Sequence, residues 1–345
     1  MMIRSNNTPS PKQAETPRIA VIGCGAIAEL YHLPALARHR EVCEKSLLVD
    51  LDSNRLEKLS KQFGILAYAT DYADVVDQID GAIVAVPPAH HEAITTDLLR
   101  RGIHVLCEKP LAETAAEARR MVEASEASAA GLCVNHTRRL FPTNRYIHAS
   151  IAAGSLGRLR KITYVEGSEY SWPAASGFHF RPGAHGVLAD RGIHILDLIC
   201  WWLGAKPELV SCENDSFGGP EGVAVIRLRH EGCEIELKVS WLTLLTNAFS
   251  IDAEHGSYRG RIDQWRGLTA LDGTGRQHAK RFKCREQEYF DFGRPMVDNL
   301  LAMVRSGAEP LVPGSETIAP VELLEECYEH AQRLNMPWFQ TAETS

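Results

Sequence analysis

The chain has 345 residues, 45% hydrophobic and 23% charged, with a formal net charge of −7. That length suits about two domains with cores large enough to need no covalent staples, and the acidic balance gives no field for nucleic acid. The nine cysteines are scattered without a Cys-x-x-Cys pair, which fits reduced thiols in the cytoplasm better than a disulfide framework or a zinc site. No apolar run approaches the roughly 18 residues that cross a membrane. Residues 1–16 are polar, without the apolar centre of a secretory signal, and read as a disordered tail, as do 339–345.

Past the tail, Ile19 to Ile22 is a continuous apolar run, expected of a strand buried on both faces of a parallel sheet. Gly23-Cys24-Gly25-Ala26-Ile27-Ala28 follows. Gly23 permits a tight turn, Gly25 removes a side chain where a pyrophosphate approaches the backbone, and Ala28 keeps the next helix close to the strand. The helix begun by Ala26 and Ile27 would present free N–H groups and a positive dipole end to phosphates. Alone, the pattern is equally a plain βα turn. The helix, 26–39, is interrupted at Pro34.

A second strand, 46–50, ends in Asp50. Roughly twenty residues past the glycines is where a carboxylate takes the ribose hydroxyls in this architecture. A carboxylate there repels a 2′-phosphate, so the sequence leans to NAD over NADP. Asp52 competes for the role, and Arg55 is the residue that would shelter a phosphate. Then come a helix over 53–63, a short strand over 67–70 and a short helix over 72–78. A strand over 81–86 ends in Pro87-Pro88, and a helix over 89–101 begins with His90-His91. A strand over 102–107 ends in Glu108-Lys109-Pro110, followed by a helix to 129 and a strand over 131–134. This alternation is the doubly wound signature, whose ligands bind outside the carboxyl ends of the strands. Val86, Pro87, Pro88, His91, Glu108 and Lys109 fall at such ends and join the glycine turn as cofactor candidates.

Composition changes near 138. A strand over 161–166 leads to a loop carrying Tyr170, Trp172, His179, Arg181 and His185, then a helix capped by Gly204. Alternating strands over 208–212, 223–229, 234–242, 249–254 and 257–262 form an antiparallel sheet, with helices over 288–305 and 321–333. Trp241, Leu242, Leu244 and Leu245 put apolar surface near the sheet's open face, as a subunit contact or a deeper core. The expected domains are 17–137 and 138–338.

Lys109, at a strand end, would orient a substrate hydroxyl and favour its alkoxide, or is a surface lysine beside a turn proline. In Asp190-Arg191-Gly192-Ile193-His194 a helical spacing of four sets carboxylate and imidazole on one face. Histidine is the usual proton carrier near neutrality, and a nearby carboxylate raises its pKa; Asp197 is a rival partner. The fourteen histidines form no cluster with metal-ligand spacing, so no metal is expected.

The set resembles the Gfo/Idh/MocA family, named for glucose–fructose oxidoreductase and inositol dehydrogenase. It comprises the glycine turn, Val86-Pro87-Pro88-Ala89-His90-His91, Glu108-Lys109-Pro110-Leu111, 135–142 and 186–197, in order over 17–331. The resemblance implies an N-terminal Rossmann domain and a C-terminal α/β domain with a large, mostly antiparallel, open-faced sheet, through which homodimers or homotetramers form. It implies hydride transfer between the nicotinamide of NAD or NADP and a secondary alcohol or ketone of a sugar, cyclitol or sugar derivative. Lys109, Asp190 and His194 would be the catalytic set: His194 takes the hydroxyl proton, Asp190 tunes it and Lys109 holds the oxygen. Near the expected pocket, Arg138, Tyr170, Trp172, Arg181 and His185 are substrate candidates. His136 stands where an aromatic residue is common in the family. A keto-sugar reductase, a transient-redox enzyme of epimerase or glycosidase type, and a non-catalytic NAD(P)-sensing regulator remain alternatives; the intact Lys109, Asp190 and His194 speak against the regulator.

Overall fold

The computed structural model describes residues 16–128, 130–173, 177 and 184–335. Apart from Thr16, both expected tails lie outside the described residues, as do His179 and Arg181. The apolar runs of the first segment become β1 (Ile19–Ile22), β2 (Leu47–Val49), β3 (Ala67–Ala69), β4 (Gly81–Val84), β5 (His104–Cys107) and β6 (Leu132–Val134). All neighbouring pairs are parallel, in the order β3-β2-β1-β4-β5-β6. That order reverses direction between β1 and β4, and a doubly wound sheet opens its ligand crevice at such a switch. The crossovers include α1 (Leu33–Leu36), α2 (Arg40–Lys45), α3 (Ser53–Phe63), α4 (His91–Arg100) and α5 (Ala115–Ser128).

The helix after β1 carries a π-helical turn, Ala28–His32, before α1 begins. Pro34 follows directly: the backbone stays right-handed helical through His32 and Leu33, so the expected interruption is a local π-type change in hydrogen bonding and not a break. The short helix expected over 72–78 is instead two single 3₁₀ turns, Tyr72–Asp74 and Val76–Gln78.

The second segment holds α6 (Pro142–Ala152), β7 (Leu159–Gly167), a π-helical turn Leu188–Gly192, and α7 (Ile193–Leu203). Then follow β8 (Glu208–Asn214), β9 (Val223–His230), β10 (Cys233–Ser240), β11 (Ala248–Ala253), β12 (Gly256–Arg261), β13 (Gly267–Asp272) and β14 (Gln277–Arg281). The chain continues through α8 (Gly293–Ser306), α9 (Ile318–Glu329) and β15 (Ala331–Arg333). Nine strands form one sheet, ordered β14-β13-β12-β11-β7-β10-β9-β8-β15. It is antiparallel except where β7 meets β10 and β8 meets β15. The helix expected over 321–333 therefore ends early: residues 331–333 leave α9 and pair along the edge of β8.

Strand alternation sets the faces. In β10, Ile235, Leu237 and Val239 are buried in the core they share with α6, α7 and α9 residues, while Glu234, Glu236 and Lys238 are exposed. Trp241 departs from the open-face expectation: it is 5% exposed, whereas Leu242 and Leu244 are 61% and 73% exposed in the connection to β11.

The chain does not stay with the second sheet. Met296, Val297, Leu300 and Leu301 of α8, with Val312 and Val321, are buried in the core of the first sheet. The Val134 N–H at the end of β6 donates to Val312 O (2.9 Å), which ties the returning chain to that edge. All nine cysteines are free thiols. Among the described residues no helix is long and apolar enough to cross a membrane.

Candidate active site

A cleft of about 1350 Å³ lies at the carboxyl ends of the first sheet's central strands and reaches the start of α7. Its walls begin at the turn after β1. Gly23 has φ +89°, and a Cβ there would stand 2.6 Å from the backbone of Ala85 and Val86, so only glycine lets the two strand ends meet. Gly25 differs: a Cβ there meets nothing within 4 Å, and the residue lines the cleft with Ala26 and Ile27. The space such a Cβ would fill lies at a helix start that no side chain caps. Orphan N–H groups beside an open, glycine-lined surface fit a bound pyrophosphate. Ala28 is fully buried, so its part is to close the helix onto the sheet and not to touch a ligand.

Asp50 stands at the end of β2 over this turn. Its Oδ2 accepts from the Cys24 N–H (2.7 Å) and its Oδ1 from the Asp52 N–H (2.9 Å). Asp52, the rival for the ribose role, caps α3: its carboxylate accepts from the N–H groups of Asn54 (3.0 Å) and Arg55 (3.2 Å). Arg55 is engaged as well; its guanidinium donates to Cys24 O and to Glu29 Oε2 (3.0 Å). Burial first, then the Asp50 charge, pushes the Cys24 thiol up to about 12, so it stays protonated and inert.

Val86, Pro87, Pro88 and Glu108 line the cleft. His91 does not. It is fully buried, with Nδ1 2.9 Å from Pro110 O and Nε2 2.9 Å from Val86 O, so it clamps the ends of β4 and β5 together instead of meeting a cofactor. The side chain of Glu108 also turns inward. Its Oε1 lies 2.7 Å from His32 Nε2 and accepts from Asn135 Nδ2 (2.7 Å), and Tyr31 donates in turn to Asn135 Oδ1 (3.2 Å). Burial works against its charge, but the bonds from His32 and Asn135 and the nearby Lys109 hold this carboxyl below its ordinary range.

Lys109 projects the other way. Its Nζ donates to Asp190 Oδ1 (2.9 Å) and to Asp190 O (2.8 Å), and Trp241 Nε1 donates to Asp190 Oδ2 (3.1 Å). The lysine, just past β5, and the aspartate, in the helical turn before α7, are partly exposed to the cleft. The structure corrects the expected Asp190–His194 pairing: the carboxylate is held by Lys109 and Trp241. His194 follows one turn later on α7, 6% exposed and lining the cleft. Burial, and then the positive charges of Lys109 and Arg138, hold its pKa well below the usual histidine value, opposite to the expected rise. Asp197 is taken by Arg139, whose Nε and Nη2 donate to it at 3.0 and 2.7 Å.

The start of this helix is built from a residue the sequence did not single out. Glu221, 3% exposed, accepts from the N–H groups of Gly186 (3.1 Å) and Leu188 (2.9 Å) and from Tyr328 Oη (2.9 Å). A Cβ at Gly186 would stand 2.1 Å from Glu221 O, so the approach requires glycine.

Of the substrate candidates, Arg138, Tyr170, Trp172 and His185 line the cleft. Arg138 is bound bidentately by Glu166 (2.6 and 2.8 Å). Glu166, Tyr289, Trp265 and Asn247, all missed in the sequence, share that wall. Burial chiefly pushes the Tyr289 hydroxyl up to about 12.

Two family models match the chain. That of the Gfo/Idh/MocA oxidoreductase family with an NAD-binding Rossmann fold covers residues 17–136, and that of a Gfo/Idh/MocA C-terminal domain covers 144–259. The rhizopine catabolism protein MocA of Rhizobium meliloti is 29% identical over 55% of this chain, which spans only 58% of that relative. A myo-inositol dehydrogenase of Streptomyces leeuwenhoekii is 26% identical over 85% of this chain and 90% of its own length. The crystal structure of an aldose–aldose oxidoreductase from Caulobacter crescentus superposes with a TM-score of 0.77 over 92% of this chain and 97% of that one; at 23% identity it shows a shared fold.

Proposed function

Because this chain belongs to the Gfo/Idh/MocA family of NAD-binding oxidoreductases, we propose that it moves a hydride between NAD and a secondary alcohol or ketone of a sugar, cyclitol or sugar derivative. The observation that carries this reading is Lys109, an ammonium just past β5 of the first sheet, held on Asp190 in the helical turn before α7 and beside His194 in the same cleft.

Gly23, Gly25, Ala26 and Ile27 would hold the pyrophosphate, Asp50 the ribose, and Val86, Pro87, Pro88 and Glu108 the remaining wall. Bound there, the nicotinamide supplies the hydride acceptor or donor. The residues of the chain do the rest. Lys109 Nζ carries one more N–H than its two bonds to Asp190 use, and that proton is free to bind the reacting oxygen and stabilise negative charge on it. His194 stays neutral at pH 7, as a base must be to accept the hydroxyl proton. Asp190 fixes the lysine, and the Trp241 N–H fixes Asp190, so the ammonium is aimed before substrate arrives. The rings of Tyr170, Trp172, Trp265 and Tyr289 offer flat surfaces to a sugar ring, with Arg138–Glu166 and Asn247 to meet its hydroxyls.

NAD is favoured over NADP because a carboxylate stands at the ribose end while the nearest guanidinium, Arg55, is engaged with Glu29. Assembly as a homodimer or homotetramer through the second sheet's open face, beside which Leu242 and Leu244 are exposed in the connection from β10 to β11, belongs to this proposal, as does residence in the reducing cytoplasm that nine free thiols suit. The test is a fluorescence titration with NADH and NADPH, followed by a screen of polyols for NAD⁺ reduction. Tighter NADH binding and NADH formed from a polyol are expected. Tighter NADPH binding would remove Asp50 as the discriminating group, and no binding of either would overturn the reading.

A further inference from the structure

Behind His194, away from the cleft, lies a second histidine. His136 is fully buried, and neither Nδ1 nor Nε2 has a hydrogen-bond partner. His194 Nδ1 is buried and unpartnered as well. The two rings meet edge to face, with centroids 6.1 Å apart and planes at 89°. His136 Nδ1 stands 3.5 Å from Asp197 Oδ2, and Asp197 is itself fixed by Arg139. Buried polar atoms in native proteins are almost all paired, through ordered water where no protein group reaches. Three orphan ring nitrogens on two touching histidines mark a place for a small polar bridge, and a water needs only two to four such partners.

We propose that His136 is a positioning residue for the general base: one ordered water bridges His194 Nδ1 and His136, fixes the His194 tautomer with Nε2 free toward the cleft, and relays its proton inward. This rests on the oxidoreductase reading above. The balance is a proton exchange without change in electrons. The substrate hydroxyl proton bonds to His194 Nε2, the Nδ1–H passes to the water, and the water gives one of its own protons to His136, so one positive charge moves from His194 to His136. Burial first, with Arg139 and Lys109, holds His136 down to about 4, while Asp197 and Glu108 work in favour of its charge, so it holds the proton only in passing. Lys109 and Arg138 oppose it on His194. Asp197, 3.5 Å from His136 Nδ1, is the anion that draws the proton toward His136.

The test uses the full-length protein without any ligand. Nitrogen-15 spectra of labelled histidines at neutral pH are expected to show His194 in the Nδ1–H tautomer in the wild type, and the Nε2–H form gaining population in His136→Phe. A high-resolution crystal structure is expected to show a water between the rings. Unchanged His194 resonances in the variant, or a dry contact, overturn the proposal. His136→Gln keeps a polar partner, restores the wild-type tautomer, and serves where the phenylalanine variant fails to fold. With a polyol substrate, His136→Phe should lower kcat about tenfold at unchanged KM, since His136 does not line the cleft, and His136→Gln, which holds the water but takes no proton, should recover only part of it; full recovery would remove the relay and leave the tautomer role. A wild type inactive on every polyol defeats the oxidoreductase reading, whereas the spectra, recorded without substrate or cofactor, judge the histidine pair independently.

Discussion

Two helix starts open onto the same cleft and are treated in opposite ways. At the first, after β1, Asp50 takes the Cys24 N–H of the turn, and Gly25 beyond it leaves open space. At the second, before α7, the buried carboxylate of Glu221 accepts the N–H groups of Gly186 and Leu188. Both have the positive end of a helix dipole and orphan donors. One leaves them for an anion that arrives with a ligand; the other carries its own anion and cannot accept another. The same backbone physics thus leaves one end of the cleft open to an anion and makes a rigid mount for Asp190 and His194 at the other.

If that division holds, damage at the two starts separates cleanly. The largest effect is expected at the mounted chemistry. Lys109→Ala and His194→Ala should each lower turnover about 100-fold or more while NADH binding stays near wild type. Activity should also persist as the pH falls through 6.5, because the folded His194 pKa lies well below that value and the base is lost only as the pH falls through it. An acid limb at or above 6.5 would place the working base elsewhere.

A smaller effect is expected at the open start. Gly25→Val should weaken NADH binding about tenfold, roughly 1.4 kcal/mol, and barely move the thermal midpoint, since its side chain enters space that only a ligand would use. A large loss of Tm with unchanged affinity would make Gly25 a folding residue. The smallest change in activity belongs to Glu221→Gln. It should cost about 1–3 kcal/mol of stability by weakening the buried cap, measured by denaturant unfolding, with turnover reduced only a few-fold. Tighter anion binding at this start, with stability intact, would contradict its role as a sealed mount.

What the sequence discloses follows range. The strand, turn and helix around Gly23 are local, so periodicity and glycine placement suffice to read them. Asp50, Glu108 and Lys109 are legible because a parallel sheet brings all its strand ends to one side. What escapes is pairing across distance. Glu221 lies 35 residues from Gly186, and no spacing rule joins them. Glu166 meets Arg138 only because β7 brings it there. The expected rise in the His194 pKa failed for the same reason: a spacing of four gives Asp190 and His194 a shared side, but Lys109 and Trp241, from 81 residues upstream and 51 downstream, take the carboxylate first. His91, read from its place near a strand end, proved to be a clamp because position along a strand does not tell which way a side chain turns.

The return of α8 to the first core bears on how this molecule can be divided. Met296, Val297, Leu300 and Leu301 close the hydrophobic interior around β4 and β5, although more than 150 residues separate them from β6. The nucleotide-binding half is therefore not a detachable cassette. A fragment cut at 137 would present bare apolar surface where α8 had been, and a graft of that half onto another scaffold must bring along residues 293–321 as a second, discontinuous piece.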